Sequence, residues 1–347
     1  MSNTETVPVE LSCPGAAPGS DGVQLLSARE VPMGGPRAMP VRRTLPQRAR
    51  SLIGAWCFAD HYGPITLGRD VGMDVPPHPH TGLQTATWLF AGEVEHRDSL
   101  GTHAIVRPGE LNLMTGGHGI CHSEVATVPT GTGTTLHGVQ LWIALPDAHR
   151  HTARAFHRHT PPSVDLGGGT ARVFLGSLAG VASPVPTFSP LLGAEIVLDP
   201  QARVTLSVDP THEHGVLVGT GTVVLAGTTL APTDLGYLAP GTAALELTNP
   251  GGGSARVLLL GGTPFEEDLV MWWNFVARDH EEIVSFREAW ERGSDQFGRV
   301  DGYTGTPRRL PAPALPNARI APRARSPHAR PSNEPATPPE HPRRRSS

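Results

Sequence analysis

Two short motifs in the sequence place potential metal ligands two residues apart. The first contains His78 and His80 among prolines, and the second contains His122 and Glu124. In an extended strand, residues two apart face the same side. Three imidazoles and one carboxylate form a ligand set for a borderline divalent metal, namely iron, nickel, copper, manganese or zinc. The spacing therefore predicts a metal site built from these four residues.

The segments between the two motifs indicate how they could meet. A strand, a turn at Gly92, a second strand, a turn at Pro108-Gly109 and the strand Leu111–Met114 separate them. An antiparallel barrel with this meander can bring both motifs to one interior point. Short apolar segments bounded by Gly, Pro, Asn or Asp recur along the chain, which contains 40 Gly and 36 Pro. This pattern is typical of sandwiches and barrels and predicts an all-β fold.

The composition divides the 347 residues into five parts. A double proline at 161–162 and three glycines at 167–169 mark a junction between two strand-rich blocks. Asp279 can cap a helix whose apolar residues recur at helical spacing. The proline- and arginine-rich end has few large apolar residues, which predicts disorder. The expected parts are an N-terminal extension (1–36), a first barrel (37–160), a second barrel (166–275), a helix (279–293) and a disordered tail (300–347).

The composition also excludes several kinds of function. The chain has no lysine, so Schiff-base chemistry and a lysine-containing phosphate loop are excluded. The formal net charge is −4 and the tail carries a positive excess, so the remaining chain is acidic and sequence-specific nucleic-acid binding is not expected. Three widely spaced cysteines fit a reducing compartment. No apolar run is long enough to span a membrane and no secretory signal is recognised, so we expect a cytoplasmic protein.

Several longer motifs resemble the pirin family. They are MPVRRTLP at 39–46, WCFADHYGP at 56–64, HPHTG at 78–82, EHRDSLG at 95–101, PGELNLMTGGHGICHSE at 108–124 and VMWWNF at 270–275. The resemblance runs from about residue 23 to 293. It implies two stacked cupin-type barrels, a bicupin, with a mononuclear non-haem Fe²⁺ in the first. The family's ligands fall on His78, His80, His122 and Glu124.

Two positions depart from the family pattern. Gln84 stands where the general cupin motif has a glutamate, and an amide there could change a contact behind the metal ligands. His118 stands where the family usually has an arginine, which replaces a fixed charge by a titratable one. We interpret His118 as a turn residue, with a substrate contact or a further ligand as the alternatives.

The resemblance implies two alternative functions. The first is a dioxygenase that binds O₂ and cleaves flavonols such as quercetin, with Glu124 as the base for the substrate hydroxyl. The expected substrate pocket contains Phe58, Trp88, Met114 and His118. The alternative is an iron-dependent regulatory protein that binds a transcription factor or a metabolic enzyme without turnover. Fold and metal alone do not fix the substrate.

The remaining histidines and acids are interpreted as structural or solvated. His96 and His103 flank a hairpin and are expected in solvent, as is Asp98. His212 and His214 resemble the remnant of a first cupin motif, and the second barrel is expected to be metal-free. Cys121 neighbours His122 and is expected to face away from the metal as a small buried side chain.

Overall fold

The computed structural model describes residues 22–33, 39–68, 72–127, 135–316 and 319. The first group of strands is β1 (Gln24–Leu26), β2 (Arg29–Met33), β3 (Met39–Leu45), β4 (Trp56–Thr66), β5 (Asp74–His80), β6 (Leu83–Ala91), β7 (Glu93–Asp98), β8 (His103–Val106), β9 (Leu111–Thr115), β10 (Ile120–Thr127), β11 (Thr135–Ala144) and β12 (Ala155–His159).

The second group completes the chain. It consists of β13 (Val164–Asp165), β14 (Gly169–Leu175), β15 (Ser177–Leu178), β16 (Val181–Ala182), β17 (Leu191–Leu198), β18 (Arg203–Ser207), β19 (Glu213–Thr220), β20 (Val223–Leu225), β21 (Thr228–Leu230), β22 (Leu235–Leu238), β23 (Ala244–Thr248), β24 (Ala255–Gly262), β25 (Val270–Trp272), β26 (Phe275–Ala277) and the helix α1 (His280–Glu291).

Each barrel consists of a seven-stranded sheet and a four-stranded sheet. In the first barrel the strand orders are β12-β9-β6-β11-β4-β3-β2 and β5-β10-β7-β8. In the second they are β1-β22-β19-β24-β17-β14-β13 and β18-β23-β20-β21. The prediction of an all-β fold with two barrels and one short C-terminal helix is confirmed. Within the described part of the chain, no helix is long and apolar enough to cross a membrane.

The two barrels share a buried interface between their larger sheets. Trp56 of the first barrel donates its indole N–H to the carbonyls of Leu192 and Gly261, at 3.1 and 3.2 Å. Trp88 stacks on Phe174 of the second barrel, with ring centroids 4.7 Å apart. One face of the larger sheet in the first barrel is therefore committed to the interface, and the other faces the barrel interior.

Both ends of the chain cross the expected domain boundaries. The segment assigned to an N-terminal extension contributes β1, which pairs with β22 in the second barrel, and β2, which pairs with β3 in the first. Residues 1–21 and 34–36 of that extension lie outside the described residues. At the other end, β25, β26 and α1 pack around Cys121 of the first barrel. Neighbouring segments thus belong to different barrels, which a linear division of the sequence does not show.

The predicted disorder from residue 300 is wrong for residues 301–316. The backbone N–H of Leu310 donates to the carbonyl of Pro77 at 2.9 Å, and Trp290 donates its indole N–H to the carbonyl of Leu310 at 2.9 Å. Tyr303 is 7% exposed. A few apolar side chains suffice here because they fill a groove already lined by aromatic residues. The tail from residue 320 onward, with its three final arginines, lies outside the described residues.

Candidate metal centre

Three of the four predicted ligands converge inside the first barrel. Antiparallel pairing of β5 and β10 sets His122 opposite His78. The ligand nitrogens of His78, His80 and His122 all lie within 4.8 Å of one another, and each side chain is fully buried. The Nε2 atoms of His80 and His122 are 3.1 Å apart. Alternation along two paired strands therefore brings the three imidazoles to one point, as the sequence predicts.

The prolines of the first motif fit the position of its strand. β5 is an edge strand of the four-stranded sheet. Pro76, Pro77 and Pro79 lack an N–H and are excluded from a central strand. The free edge is partly covered by Leu310, whose N–H bonds to the Pro77 carbonyl. The strand that carries two ligands is thus fixed by β10 on one side and by the C-terminal segment on the other.

The hydrogen bonds of His78 and His80 define their tautomers. His78 Nδ1 lies 2.9 Å from the carbonyl of Pro76, and His80 Nδ1 lies 3.2 Å from the carbonyl of Asn274. Because a carbonyl oxygen only accepts, we assign the proton to Nδ1 in both rings. Each Nε2 then presents a lone pair to the cluster, which is the form that a metal ligand requires.

His122 receives the same tautomer through two further residues. His122 Nδ1 lies 3.3 Å from His96 Nδ1, and His96 Nε2 lies 3.1 Å from a carboxylate oxygen of Asp98. The carboxylate accepts from His96 Nε2–H, so His96 Nδ1 carries the lone pair and accepts from His122 Nδ1–H. The Nε2 atom of His122 is then unprotonated. A buried carboxylate behind a ligand histidine is a recurrent way to orient a metal ligand.

The expectation that His96 and Asp98 are solvated is wrong. His96 is 3% exposed and Asp98 is 2% exposed. The remaining oxygen of Asp98 accepts the backbone N–H groups of Leu100 and Thr102, at 2.8 and 3.1 Å. A signal was present in the sequence, since both residues alternate in phase with the apolar Val94. Their position in a hairpin and the polar residues around them favoured the interpretation that both are solvated.

The electrostatics of the cluster suit a cation. Burial lowers the pKa of His78 to about 3, and it holds the pKa values of His80 and His122 well below the ordinary range. The three rings are therefore neutral at physiological pH. The Nε2 atoms of His80 and His122 lie 3.1 Å apart, and in the assigned tautomers both present lone pairs, which repel each other. Among the described residues, His78 Nε2 has no hydrogen-bond partner. These donors fit a divalent metal ion, which relieves that repulsion.

Glu124 is buried on the same strand but lies outside the three-histidine cluster. Its side chain is 1% exposed, and it faces His96 across the β10–β7 pair. The β10–β5 register shifts between His122 and Glu124, which changes its position relative to the histidines. Although burial favours the protonated acid, surrounding groups that include His78 and His96 lower the pKa of Glu124. An ionised carboxylate beside the cluster can act as a ligand or accept a proton.

The four residues expected in a substrate pocket separate in the structure. Phe58 stacks on Trp142 with centroids 4.0 Å apart, and Trp142 makes an edge contact with His80 at 5.2 Å. Met114 is buried one strand beyond Thr85, on the face that carries Trp142. Phe58 and Met114 thus face the interior beside the histidines.

Trp88 and His118 lie elsewhere. The prediction that Trp88 lines the pocket is wrong, because alternation along β6 turns it toward Phe174 and the second barrel. His118 lies in a half-exposed turn, where its Nδ1 is 3.2 Å from the carbonyl of Thr152. Gln84 faces the interface as well and donates to the Thr115 hydroxyl at 2.9 Å. Its amide therefore does not contact the ligand histidines.

The C-terminal hairpin supplies a contact that the sequence did not reveal. The VMWWNF motif forms β25 and the start of β26, and the chain turns between them at Trp273, whose φ is +52°. This turn delivers the Asn274 carbonyl to His80. Gly82, at φ +69°, lets the hairpin approach, because a Cβ there would lie 2.2 Å from the Val276 carbonyl oxygen. The hairpin therefore supplies the hydrogen-bond acceptor that orients His80 in the metal centre.

The second barrel has a buried histidine with a different environment. His214 is fully buried, and burial lowers its pKa to about 4. Neither ring nitrogen has a hydrogen-bond partner in the part of the chain that the structure describes. Among the described residues, the histidine triad of the first barrel is the one group of three or more potential ligands close enough to share an ion. That the second barrel is metal-free stays a prediction.

Comparison with known protein families matches both barrels. Residues 38–143 match the pirin family model, and residues 193–298 match the model of the pirin C-terminal cupin domain. A Pseudomonas aeruginosa protein named "Putative quercetin 2,3-dioxygenase" is 44% identical over 296 residues, which cover 85% of this chain and 91% of that protein.

Solved structures show the same architecture. A crystal structure of quercetin 2,3-dioxygenase from Acinetobacter baumannii has a TM-score of 0.80 and 38% identity, and it covers 87% of this chain and 98% of its own. The Escherichia coli pirin YhhW, solved in complex with nickel(II), has a TM-score of 0.55 and 19% identity, covering 70% of this chain and 100% of its own. The second likeness concerns the fold alone.

Proposed function

Because the chain belongs to the pirin family of two-barrel cupins, we propose that it is a mononuclear non-haem iron dioxygenase that cleaves flavonols such as quercetin. The observation that carries the proposal is the convergence of three imidazoles in a buried interior, with ligand nitrogens within 4.8 Å of one another. Relatives named as quercetin dioxygenases support the reaction. The ligand set accommodates Ni, Cu, Mn or Zn as well, so Fe²⁺ is the element of the proposal that metal analysis tests.

The residues of the site have separable roles in this proposal. His78, His80 and His122 hold the metal, and Glu124 completes the ligand set or accepts a proton. When bound, Fe²⁺ supplies open coordination positions and the redox chemistry for O₂. Glu124, ionised and shielded from water, accepts the proton of the flavonol hydroxyl at a carboxylate oxygen. The stacked rings of Phe58 and Trp142 offer an apolar wall for a flat substrate beside the metal.

Oxygen consumption tests the proposal. Iron-loaded protein is given quercetin in an oxygen electrode, and CO release is measured in parallel. We expect Glu124→Gln to keep much of its iron, because an amide oxygen still ligates weakly, and to lose most of its turnover, because an amide does not accept the proton. Glu110→Gln is the matched control, since Glu110 pairs with Arg158 at the surface.

Two results contradict the proposal in different ways. Wild-type turnover in Glu124→Gln removes this residue from the proton transfer. Iron-loaded wild-type protein that consumes no oxygen with any flavonol refutes the dioxygenase and favours the iron-dependent binding protein.

A further inference from the structure

The interior face of the larger sheet in the first barrel is arranged in rows. The pairing of β11 sets Trp142 between Phe58 and Thr85, and this row contacts His80. Two residues further along the same strand, Gln140 lies between Asp60 and Thr87. Two residues correspond to about 7 Å along a strand. A polar row thus lies directly beside the aromatic row that contacts the metal centre.

The polar row continues across the sheet to β9, where Asn112 pairs with Thr87. At its other end, Arg43 and Asp60 form a buried two-point ion pair at 2.7 and 2.8 Å. Thr87 donates its hydroxyl to Gln140 Oε1 at 2.9 Å. This bond fixes the amide so that Gln140 Nε2 is left as a donor toward the interior.

The two amides of this row have unused hydrogen-bonding capacity. Within the described ranges, Gln140 Nε2 and both polar atoms of Asn112 have no hydrogen-bond partner. Gln140 is 0% exposed and Asn112 is 3% exposed. Buried polar groups in folded proteins are almost always paired, with protein atoms, with ordered water or with a ligand that displaces that water. Three such atoms lie on one face of the sheet, with Thr87 between the two amides. They therefore indicate an interior site that binds a group with oxygen or nitrogen atoms.

The level of the polar row in the barrel shows what it faces. On the opposite sheet, Glu124 lies two residues beyond the ligand His122 and pairs with His96. Two residues further along both sheets, Tyr62 and Leu89 pack with Val94 and Ala126 in an apolar cluster. The polar row lies between the histidines and that apolar floor, at the level of Glu124.

We propose that Gln140 and Asn112 form a specificity subsite that binds the hydroxyl and carbonyl oxygens of an aromatic substrate held at Glu124. The proposal rests on the proposed function for the substrate class and extends it to two residues. Gln140 donates to a carbonyl or phenolic oxygen. Asn112 both donates and accepts, which matches a hydroxyl group. The subsite therefore selects polyhydroxylated flavonols over analogues that lack the outer hydroxyl groups.

Anaerobic binding tests the subsite separately from turnover. Quercetin and 3-hydroxyflavone, which lacks the outer hydroxyls, are titrated into metal-loaded protein while tryptophan fluorescence is followed. We expect Asn112→Leu to weaken quercetin binding about 10-fold, the usual value of one lost hydrogen bond, and to leave 3-hydroxyflavone unchanged. Gln140→Met is a second variant with the same expectation. Gln84→Met is the control, a buried amide on the opposite face of the sheet.

Thermal unfolding distinguishes a binding role from a structural one. Because the side chain of Asn112 has no hydrogen-bond partner among the residues that the structure describes, its replacement by an apolar side chain of similar size should leave Tm unchanged or raise it. A fall of Tm in both variants, unchanged quercetin affinity, or an equal loss for both flavonols overturns the subsite.

Measurements on the wild-type protein distinguish a failure of the subsite from a failure of the proposed function. Wild-type protein that binds neither flavonol overturns the substrate class and the subsite with it. Wild-type protein that binds and discriminates the two flavonols but consumes no oxygen refutes the dioxygenase and supports the subsite.

Discussion

Replacing Asp98 by asparagine should reverse the protons of the relay behind His122. One carboxylate oxygen of Asp98 accepts two backbone N–H groups, and the other accepts from His96 Nε2. In Asp98→Asn the new side-chain carbonyl keeps the backbone bonds, so its NH₂ faces His96. His96 must then accept at Nε2 and carry its proton on Nδ1. That proton points at His122 Nδ1, and the His122 proton moves to Nε2, where the metal has to bind.

The expected loss of metal affinity follows from the effect of similar hydrogen-bond relays in other metal sites. Loss of a partner that orients a ligand typically costs 10–100-fold in metal affinity. This corresponds to about 1.4–2.8 kcal/mol. The change is nearly isosteric and keeps the Leu100 and Thr102 bonds, so we expect the loss of affinity with little change in Tm. If the substitution instead disrupted the packing of the barrel, Tm would fall clearly and metal affinity would change little.

Competition with a chelator of known affinity measures the effect, with Ni²⁺ or anaerobic Fe²⁺ as the probe. Glu110→Gln is the control, because it removes a surface carboxylate of similar charge from the same barrel. Wild-type affinity in Asp98→Asn refutes the assigned tautomers. An equal loss in Glu110→Gln shows that net charge, and not the relay, governs binding.

Three further predictions test the centre and its supports. His80→Ala should abolish stoichiometric metal binding, as measured by metal analysis of the purified protein. Ending the chain at residue 300 should lower Tm, because it removes the contacts of 301–316; a chain ending at 319 keeps them and is the control. Burial lowers the pKa of His61 to about 3 and that of His137 to about 4 from 6.5, so the unfolded chain binds more protons between about pH 4 and 6.5. Metal-free stability should fall as pH falls through that window. Replacing both histidines by leucine should reduce the slope of unfolding free energy against pH by about 2 kcal/mol per pH unit, because each histidine contributes close to one proton. An unchanged slope contradicts the burial of these two neutral histidines.

Local sequence patterns were sufficient to predict the barrels and the histidine cluster. Period-two alternation in HPH and HSE directly encodes which side chains share a face, and the structure brings the three histidines together. The same alternation places His96 and Asp98 in the interior. A polar residue in a hairpin is usually solvated, so predicting that these two are buried requires knowledge of the opposite sheet.

Contacts between distant segments could not be predicted in this way. The Asn274 contribution to His80 is a backbone carbonyl, and any residue type supplies one. Similarly, Leu310 packs because a groove exists for it, and the groove is formed by residues far away in the chain. Glu124 shares a face with His122 by spacing, but the register between β10 and β5 shifts between these two residues, and period-two alternation does not reveal such a shift.

The closing hairpin has a consequence for the order of events during synthesis. The carbonyl that orients His80 belongs to a residue 194 positions later in the chain. At a translation rate of about 5–20 residues per second, the ribosome needs roughly 10–40 s to cover that distance. Once His122 has been synthesised, the nascent first barrel contains its three histidines without the contact that fixes one of them. Full metal affinity is therefore acquired only after the C-terminal hairpin has left the ribosome and docked, which couples cofactor loading to completion of the chain.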